Sequence, residues 1–332
     1  MVSIKDVAKL AGVSVATVSR TLSKPEAVAE STREQVMAAV AESGYVANAL
    51  ARNFRRRRSH TVVVLMPDIG NPFYALVVQG IEQAAVQSGY QVLLGDTQNE
   101  TQREQAYTEL VRQRTADGLI CLGPHIPFDI DENVTAPPAD WPPLVMACEY
   151  HGRVNLPRIV IDNELAAREM TEHLISQGHS KIAFINGPED SPLCQARFDG
   201  YLQALLDAGK TFDRALLMHG DFTMETGYEL TKQLLQREQL PTAIFCANDE
   251  MAIGSLHAVR DQNLSVPDDI AIAGFDDINI AKFSYPPLTT VHQPRREIGA
   301  KAMQLLLQLL DGKGSAETIV LPHDLIIRKS TQ

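Results

Sequence analysis

At 332 residues the chain exceeds the usual size of one domain, and with 45% apolar and 21% charged residues it has the composition of a soluble globular protein. Its formal net charge of −11 would argue against nucleic acid if evenly spread. Residues 1 to 60, however, hold ten basic against five acidic side chains, a net of +5, and the remainder holds 20 against 36, a net of −16, which suits contact with DNA at one end only. No signal segment and no apolar run near the roughly 18 residues of a membrane span is present, so a cytoplasmic chain without membrane contact is expected. Cys121, Cys148, Cys194 and Cys246 form no Cys-x-x-Cys pair, which points to buried thiols and to no metal or redox centre.

The first predicted elements are two short amphipathic helices in IKDVAKLAGVSVATVSRTL, Ile4 to Leu22, joined at Gly12. Val7 and Leu10 lie three apart on one face, and Val13, Val18 and Leu22 continue the apolar set, so a small core is expected. Ser3 and Asp6 have capping-box spacing, and Ser14 is placed to cap the second helix. That helix presents Val15, Ala16, Thr17, Ser19 and Arg20 outside the core, with Ser14 at its start. Small and polar side chains there allow close approach to base edges in a major groove, while hydroxyls and the helix N-terminus can meet phosphates. Spacing alone leaves an ordinary helical hairpin equally open. A third helix is expected from Ser31 or Thr32, with Val36 and Val40 on one face and Gly44 at its end. YVANALARNFRRRRSH, Tyr45 to His60, reads as a short helix running into four arginines, either a solvated linker or, beside a DNA-binding unit, a phosphate contact with strong salt dependence.

The stretch IKDVAKLAGVSVATVSRTL resembles the N-terminal signature of the LacI/GalR family of bacterial repressors, and the whole chain can be laid against that family. The resemblance implies a helix-turn-helix headpiece at 1–46 and a hinge helix with basic linker at 47–60. In the family the hinge pairs with its dimer mate in the minor groove and levers the duplex open with a Leu side chain. Asn48, Ala51 and Arg52 fit that pattern here, and Phe54 stands at the wedge position, where an apolar body can replace base stacking.

From Thr61 onward, short β-rich apolar runs alternate with amphipathic helices. VVVLMPDI, QVLLGDT, GLICLGP and PLVMACEY form one series; RIVIDN, KIAFINGP, ALLMHGDF, AIFCAND and IAIAGFDD form a second. Such texture predicts an α/β chain with doubly wound parallel sheets, and two series predict two lobes. Lobe 1 is expected at about 61–160 plus 291–320, and lobe 2 at about 161–290 plus 321–332, together the effector-binding and dimerisation domain. The topology resembles periplasmic-binding-protein-like lobes, whose ligand lies in the cleft beyond the strand C-termini.

Just beyond those strands stand Phe73, Tyr74, Glu149, Asn163, Arg197, Phe222, Asn248, Asp249, Asp276, Asp277 and Gln293. Carboxylates and amides can bind vicinal hydroxyls, and aromatic faces can stack on a base or sugar ring. Taken singly, Asn248, Asp249, Asp276 and Asp277 could instead be helix caps, and Phe73 could be core. Arg197-x-x-Gly200, Gly220-Asp221-Phe222, Asn248-Asp249 and Gly274-Phe275-Asp276 match effector-site motifs of the family. The resemblance therefore implies effector contact at Arg197, Phe222, Asn248 and Asp276, and extends it to Phe73 and Gln293. MPDIGNPF, GPEDSPLCQARFDGYLQAL, GDFTMETG and PPLTTVHQPRREIG resemble most closely the nucleoside-responsive branch of the family, which implies a nucleoside such as cytidine; a sugar or sugar phosphate is the alternative.

The chain has no Gly-x-Gly-x-x-Gly after its first strand, no Gly-x-x-x-x-Gly-Lys-Ser/Thr loop and no Gly-x-Ser-x-Gly elbow, so an enzyme or a cytosolic small-molecule-binding protein is the distant alternative. No catalytic residue and no cofactor is expected. The implied partners are double-stranded operator DNA, a small effector and a second copy of the chain, with Leu76, Gly80 and Ala84 as candidate dimer surface or, equally, core; a co-bound transcription factor lies beyond what these residues specify. On the hinge reading, Phe54→Ala should reduce operator bending and specific affinity more than nonspecific affinity. A bend angle unchanged by gel phasing would count against the wedge.

Overall fold

The computed structural model describes residues 2–45, 58–128, 133–314 and 316–332. The chain divides into two compact units, Met1–Ser59 and His60–Gln332.

In the first unit, helices α1 (Ile4–Leu10), α2 (Val15–Ser23) and α3 (Glu30–Ser43) enclose Val7, Val18 and Val36, all fully buried, with Ala8, Ala11 and Ala39 filling the gaps. Gly12, at φ 62°, makes the left-handed turn between α1 and α2 that a side chain would resist. The Ser14 hydroxyl accepts the Thr17 N–H at 3.1 Å, and the Asp6 carboxylate accepts from both the N–H and the hydroxyl of Ser3. Two expectations are corrected. Leu10 is 49% exposed. At about 100° per residue, Ile4, Val7, Ala8 and Ala11 share one arc of the helix and Leu10 falls outside it. The third helix starts at Glu30, not at Ser31 or Thr32, because the Ala29 carbonyl already accepts from Arg33 N–H at 2.9 Å.

The second unit has two parallel sheets. The first holds β1 (Thr61–Met66), β2 (Gln91–Asp96), β3 (Gly118–Cys121), β4 (Leu144–Ala147), β5 (Arg158–Ile161) and β11 (Thr318–Leu321), in the order β11-β5-β4-β3-β1-β2. Val62, Val63 and Val64 are all fully buried, which an alternating run would not permit, because helices α4 (Pro72–Gln87), α5 (Thr101–Arg112) and α10 (Arg295–Leu310) cover the sheet. The second sheet holds β6 (Ile182–Asn186), β7 (Leu217–His219), β8 (Ala243–Cys246) and β9 (Ala271–Ala273), in the order β7-β6-β8-β9. Its helices are α6 (Asn163–Ser176), α7 (Pro192–Asp207), α8 (Met224–Leu235) and α9 (Asp249–Asp261). A short antiparallel pair, β10 (Thr290–His292) with β12 (Asp324–Ile326), flanks the second sheet through the bridges Ala273 to Thr289 and Asp276 to His292. The chain passes between the lobes after β5, between β10 and α10, and between β11 and β12. Since β5 is paired with β4 and β11, the first lobe runs through Ile161.

The α4 and α10 helices cross where neither carries a side chain. A Cβ added at Gly80 would lie 2.1 Å from the Arg296 carbonyl oxygen, and one at Gly299 would lie 2.0 Å from that of Val77. Gly80 and Ala84 are therefore buried within their own chain and Leu76 is half-buried, so of the two readings left open Gly80 and Ala84 follow the core one. Gly80→Ala should destabilise the second unit by about 1–3 kcal/mol through forced separation of the two helices, read as a lower thermal midpoint by circular dichroism.

Candidate functional site

On α2, Ser14, Val15, Ala16 and Arg20 are exposed, Thr17 and Ser19 are half-buried, and Val18 is fully buried. The helix is held from below by Val18 and by the Thr21 hydroxyl, which donates to the Thr17 carbonyl at 3.0 Å. Its outer face, from the capped N-terminus to the Arg20 cation, is of small, polar and basic groups, the composition a major-groove helix requires. The hinge candidates Asn48, Arg52 and Phe54 lie outside the described residues.

In the second unit, one half-open cavity is lined by all eight candidate ligand residues: Phe73, Tyr74, Glu149, Arg197, Phe222, Asn248, Asp276 and Gln293. Each comes from the end of a strand or the first turns of the following helix. Phe73 and Tyr74 open α4, where the Asn71 side chain accepts the Phe73 N–H at 2.9 Å. Glu149 follows β4, and Arg197 lies on α7, whose cap Ser191 hydrogen-bonds the Glu149 carboxyl across from the other lobe at 3.2 Å. Asn248 accepts the Met251 N–H at 3.0 Å and donates to the Phe222 carbonyl at 2.9 Å, so it is a helix cap and a cavity residue together.

Arg197 is 4% exposed and tied on every side. Its Nε donates to Asn163 at 2.9 Å, Nη1 donates to the Ala247 carbonyl, Nη2 lies 3.9 Å from Asp276, and the guanidinium sits 3.7 Å above the Phe275 ring. Asp276 in turn accepts from Gln293 Nε2 at 2.7 Å. Asp249 is directed away from ligand use: it accepts from the Thr290 hydroxyl and from the Ile278 N–H at 2.8 Å, pinning the loop after β9 to α9. Asp277 likewise binds Arg328 at 2.7 Å and His292 at 3.0 Å.

Burial decides the electrostatics. It pushes the Glu149 carboxyl up to about 8 against the pull of Arg197 and the Ser191 hydrogen bond. It pushes Asp276 up to about 6 against Arg197, Arg295 and Gln293, and holds Asp249 well above the carboxylate range, with Asp276 adding repulsion. The backbone is strained at the same place: Cys148 (φ 71°), Phe222 (φ 70°) and Asp276 (φ 110°) all adopt positive φ.

Asn71, Cys148 and Leu193 also line the cavity and were not among the sequence candidates. Asn71 was legible as the cap residue before Pro72, and Leu193 as the position four before Arg197 on one helix face. Nothing local marks Cys148 beyond its adjacency to Glu149. Among the described residues no group of three or more His, Cys, Asp or Glu is placed to hold a metal ion, and no helix is long and apolar enough to cross a membrane.

Residues 3–48 match the family described as bacterial regulatory proteins, lacI family, and residues 171–331 match a periplasmic binding protein-like domain. The chain is 43% identical to the HTH-type transcriptional repressor CytR of Escherichia coli strain K12 over 99% of its own length and 96% of the relative's. It is 37% identical to the ribose operon repressor of the same strain, with 92% of each chain covered. The crystal structure of the lac repressor dimer bound to operator and the anti-inducer ONPF superimposes with a TM-score of 0.87 at 28% identity, with 99% of each chain covered.

The raised carboxyls set a pH dependence. A carboxyl with a folded pKa above its unfolded value contributes stability below the unfolded value and loses it as pH rises through the folded one. For Glu149 that loss spans the interval from its ordinary 4.5 up to about 8. Glu149→Gln should therefore raise the thermal midpoint at pH 8 and change it much less at pH 4.5, measured by differential scanning calorimetry.

Proposed function

The chain belongs to the LacI family of bacterial regulatory proteins and is a DNA-binding repressor controlled by a small-molecule effector, and from that premise we propose that the effector is a nucleoside such as cytidine. The observation that carries this reading is the division of the cavity lining. Phe73, Tyr74 and Phe222 supply aromatic faces for a planar base, while Asn248, Asp276 and Gln293, over the guanidinium floor of Arg197, supply the donors and acceptors that a ribose diol needs. The 43% identity to CytR along nearly the whole chain supports the same branch of the family.

A sugar phosphate fits less well. Arg197, the cation among the lining residues, is already committed to Asn163, Ala247, Phe275 and Asp276, and two carboxyls, Glu149 and Asp276, face the same space. A phosphate entering there would bring its own charge into a buried site without a free guanidinium to offset it.

Two headpieces on a two-fold dimer would read the half-sites of a roughly palindromic operator. Val15 and Ala16 would contact thymine methyls or groove shape, and Ser14, Thr17, Ser19 and Arg20 would contact bases and phosphates. Such a DNA partner places the protein in the cytoplasm. Residues from both lobes line the cavity, so a ligand that contacts both biases lobe closure and, through it, operator affinity; DNA must then change effector affinity by the same factor.

Thermal shift against cytidine, other nucleosides, ribose and ribose phosphate tests the effector class. Cytidine at 100 times its dissociation constant should stabilise the protein by about 2.7 kcal/mol, and a shift with ribose phosphate alone would replace the effector class. Arg197→Ala should abolish release of operator DNA by cytidine and leave operator affinity without effector intact. An unchanged cytidine dose response in fluorescence anisotropy would remove Arg197 from the site.

A further inference from the structure

Glu149 is 5% exposed and lines the cavity beside Tyr74, Cys148 and Leu193. Its only side-chain hydrogen-bond donor among the described residues is the Ser191 hydroxyl, 3.2 Å from each carboxyl oxygen. The Ser191 oxygen itself accepts the Cys194 N–H at 3.4 Å, so the hydroxyl hydrogen is free to turn toward Glu149. One hydrogen serves one oxygen. The other carboxyl oxygen is then without a side-chain donor in a residue that lines the cavity, and among the described residues no cation lies within ion-pair distance of the carboxyl. Asp276 differs, with Gln293 at 2.7 Å and Arg197 at 3.9 Å.

We infer that Glu149 meets the effector as a neutral carboxylic acid and reads the base through one donor and one acceptor oxygen, pairing with the adjacent ring nitrogen and amino group of a pyrimidine. This rests on the nucleoside reading above. A cytosine edge presents an acceptor nitrogen beside an amino donor, and a carboxylic acid is its two-point complement. An ionised carboxylate would satisfy the amino group but set its second lone pair against the ring nitrogen, leaving two buried acceptors in opposition. Sugar hydroxyls rotate to donate or accept and make no such demand.

The charged groups facing Glu149 pull in both directions, and burial decides between them. Arg197 on α7 and His125 beyond β3 favour the anion, and Asp190 beside Ser191 opposes it. Tyr74, Cys148, Tyr150 and Cys194 all respond to the Glu149 charge, and burial holds the first three above their ordinary values as it does Cys194. The contact of His125 with Glu104 at 3.3 Å favours the imidazolium, yet burial outweighs it and Arg197 together and holds the carboxyl at about 8.

The test is calorimetric titration of the full-length protein with cytidine from pH 6 to pH 9.5, in buffer pairs of different ionisation enthalpy. Cytidine affinity should be flat below the Glu149 value of about 8 and fall above it by about tenfold per pH unit, with proton uptake approaching one per site. Glu149→Gln retains a donor and an acceptor, so it should bind within a few-fold of the parent, with no proton uptake and no pH slope. Glu149→Leu should lose on the order of 10- to 100-fold, as expected for a missing bidentate pair. Wild-type affinity that is flat to pH 9.5, or a slope that survives in Glu149→Gln, overturns this inference and leaves the nucleoside reading standing. Absence of cytidine binding at pH 6 alongside binding of ribose overturns both.

Discussion

A guanidinium buried in a protein interior must be surrounded by partners, because an uncompensated charge there costs far more than any single contact returns. Arg197 meets that requirement with groups from separate segments: Asn163 at the start of α6, Ala247 at the end of β8, and Phe275 and Asp276 beyond β9. Those segments can satisfy one cation only if the strand ends of the second lobe hold a fixed relative position. Arg197 thus sets the cavity floor while being largely unavailable to neutralise an incoming anion. The site consequently suits an uncharged ligand rich in hydrogen-bonding groups.

The rest of the cavity is built at the expense of local stability. Glu149 and Asp276 are buried carboxyls raised by desolvation, and Cys148, Phe222 and Asp276 hold positive backbone angles that non-glycine residues rarely adopt. Gly187 makes room for this: a Cβ there would lie 2.4 Å from the Phe222 ring. Strain and raised carboxyls coincide where the two lobes approach, with Phe73, Tyr74 and Glu149 contributed by one and Arg197, Phe222, Asn248 and Asp276 by the other. A ligand that adds hydrogen bonds to the Glu149 and Asp276 carboxyls gains affinity where burial has already been imposed. The same contacts couple binding to lobe position.

Much of this was legible in the residues, and the misses have specific causes. Strand-end position and family motifs together brought eight side chains to one cavity, since in doubly wound sheets the connections at the strand C-termini converge on the ligand. Leu10 was misplaced and Gly80 left undecided because apolar spacing does not say which arc of a helix faces inward. In α1 the inward arc is fixed by contact with Val18 and Val36, and in α4 by the Gly299 face of α10, more than 200 positions along the chain. Cys148 carries no local signal; it lines the cavity because the chain turns through a positive φ immediately after β4.

Local chemistry in the sequence was enough to determine the alternation of strands and helices, the Ser14 cap, the Gly12 turn and the placement of functional groups at strand ends, because each depends on neighbours within a few residues. It also carried the family signature. Only the tertiary structure decided which candidate groups remain free for a ligand. Asn248 is at once a cap and a cavity residue, Asp249 and Asp277 are consumed by structural hydrogen bonds, and Glu149 is opposed by a lone hydroxyl from the other lobe. Whether a carboxyl is an anion, a cap or a neutral hydrogen-bond donor depends on burial and on partners brought from distant parts of the chain, and those are set by the fold.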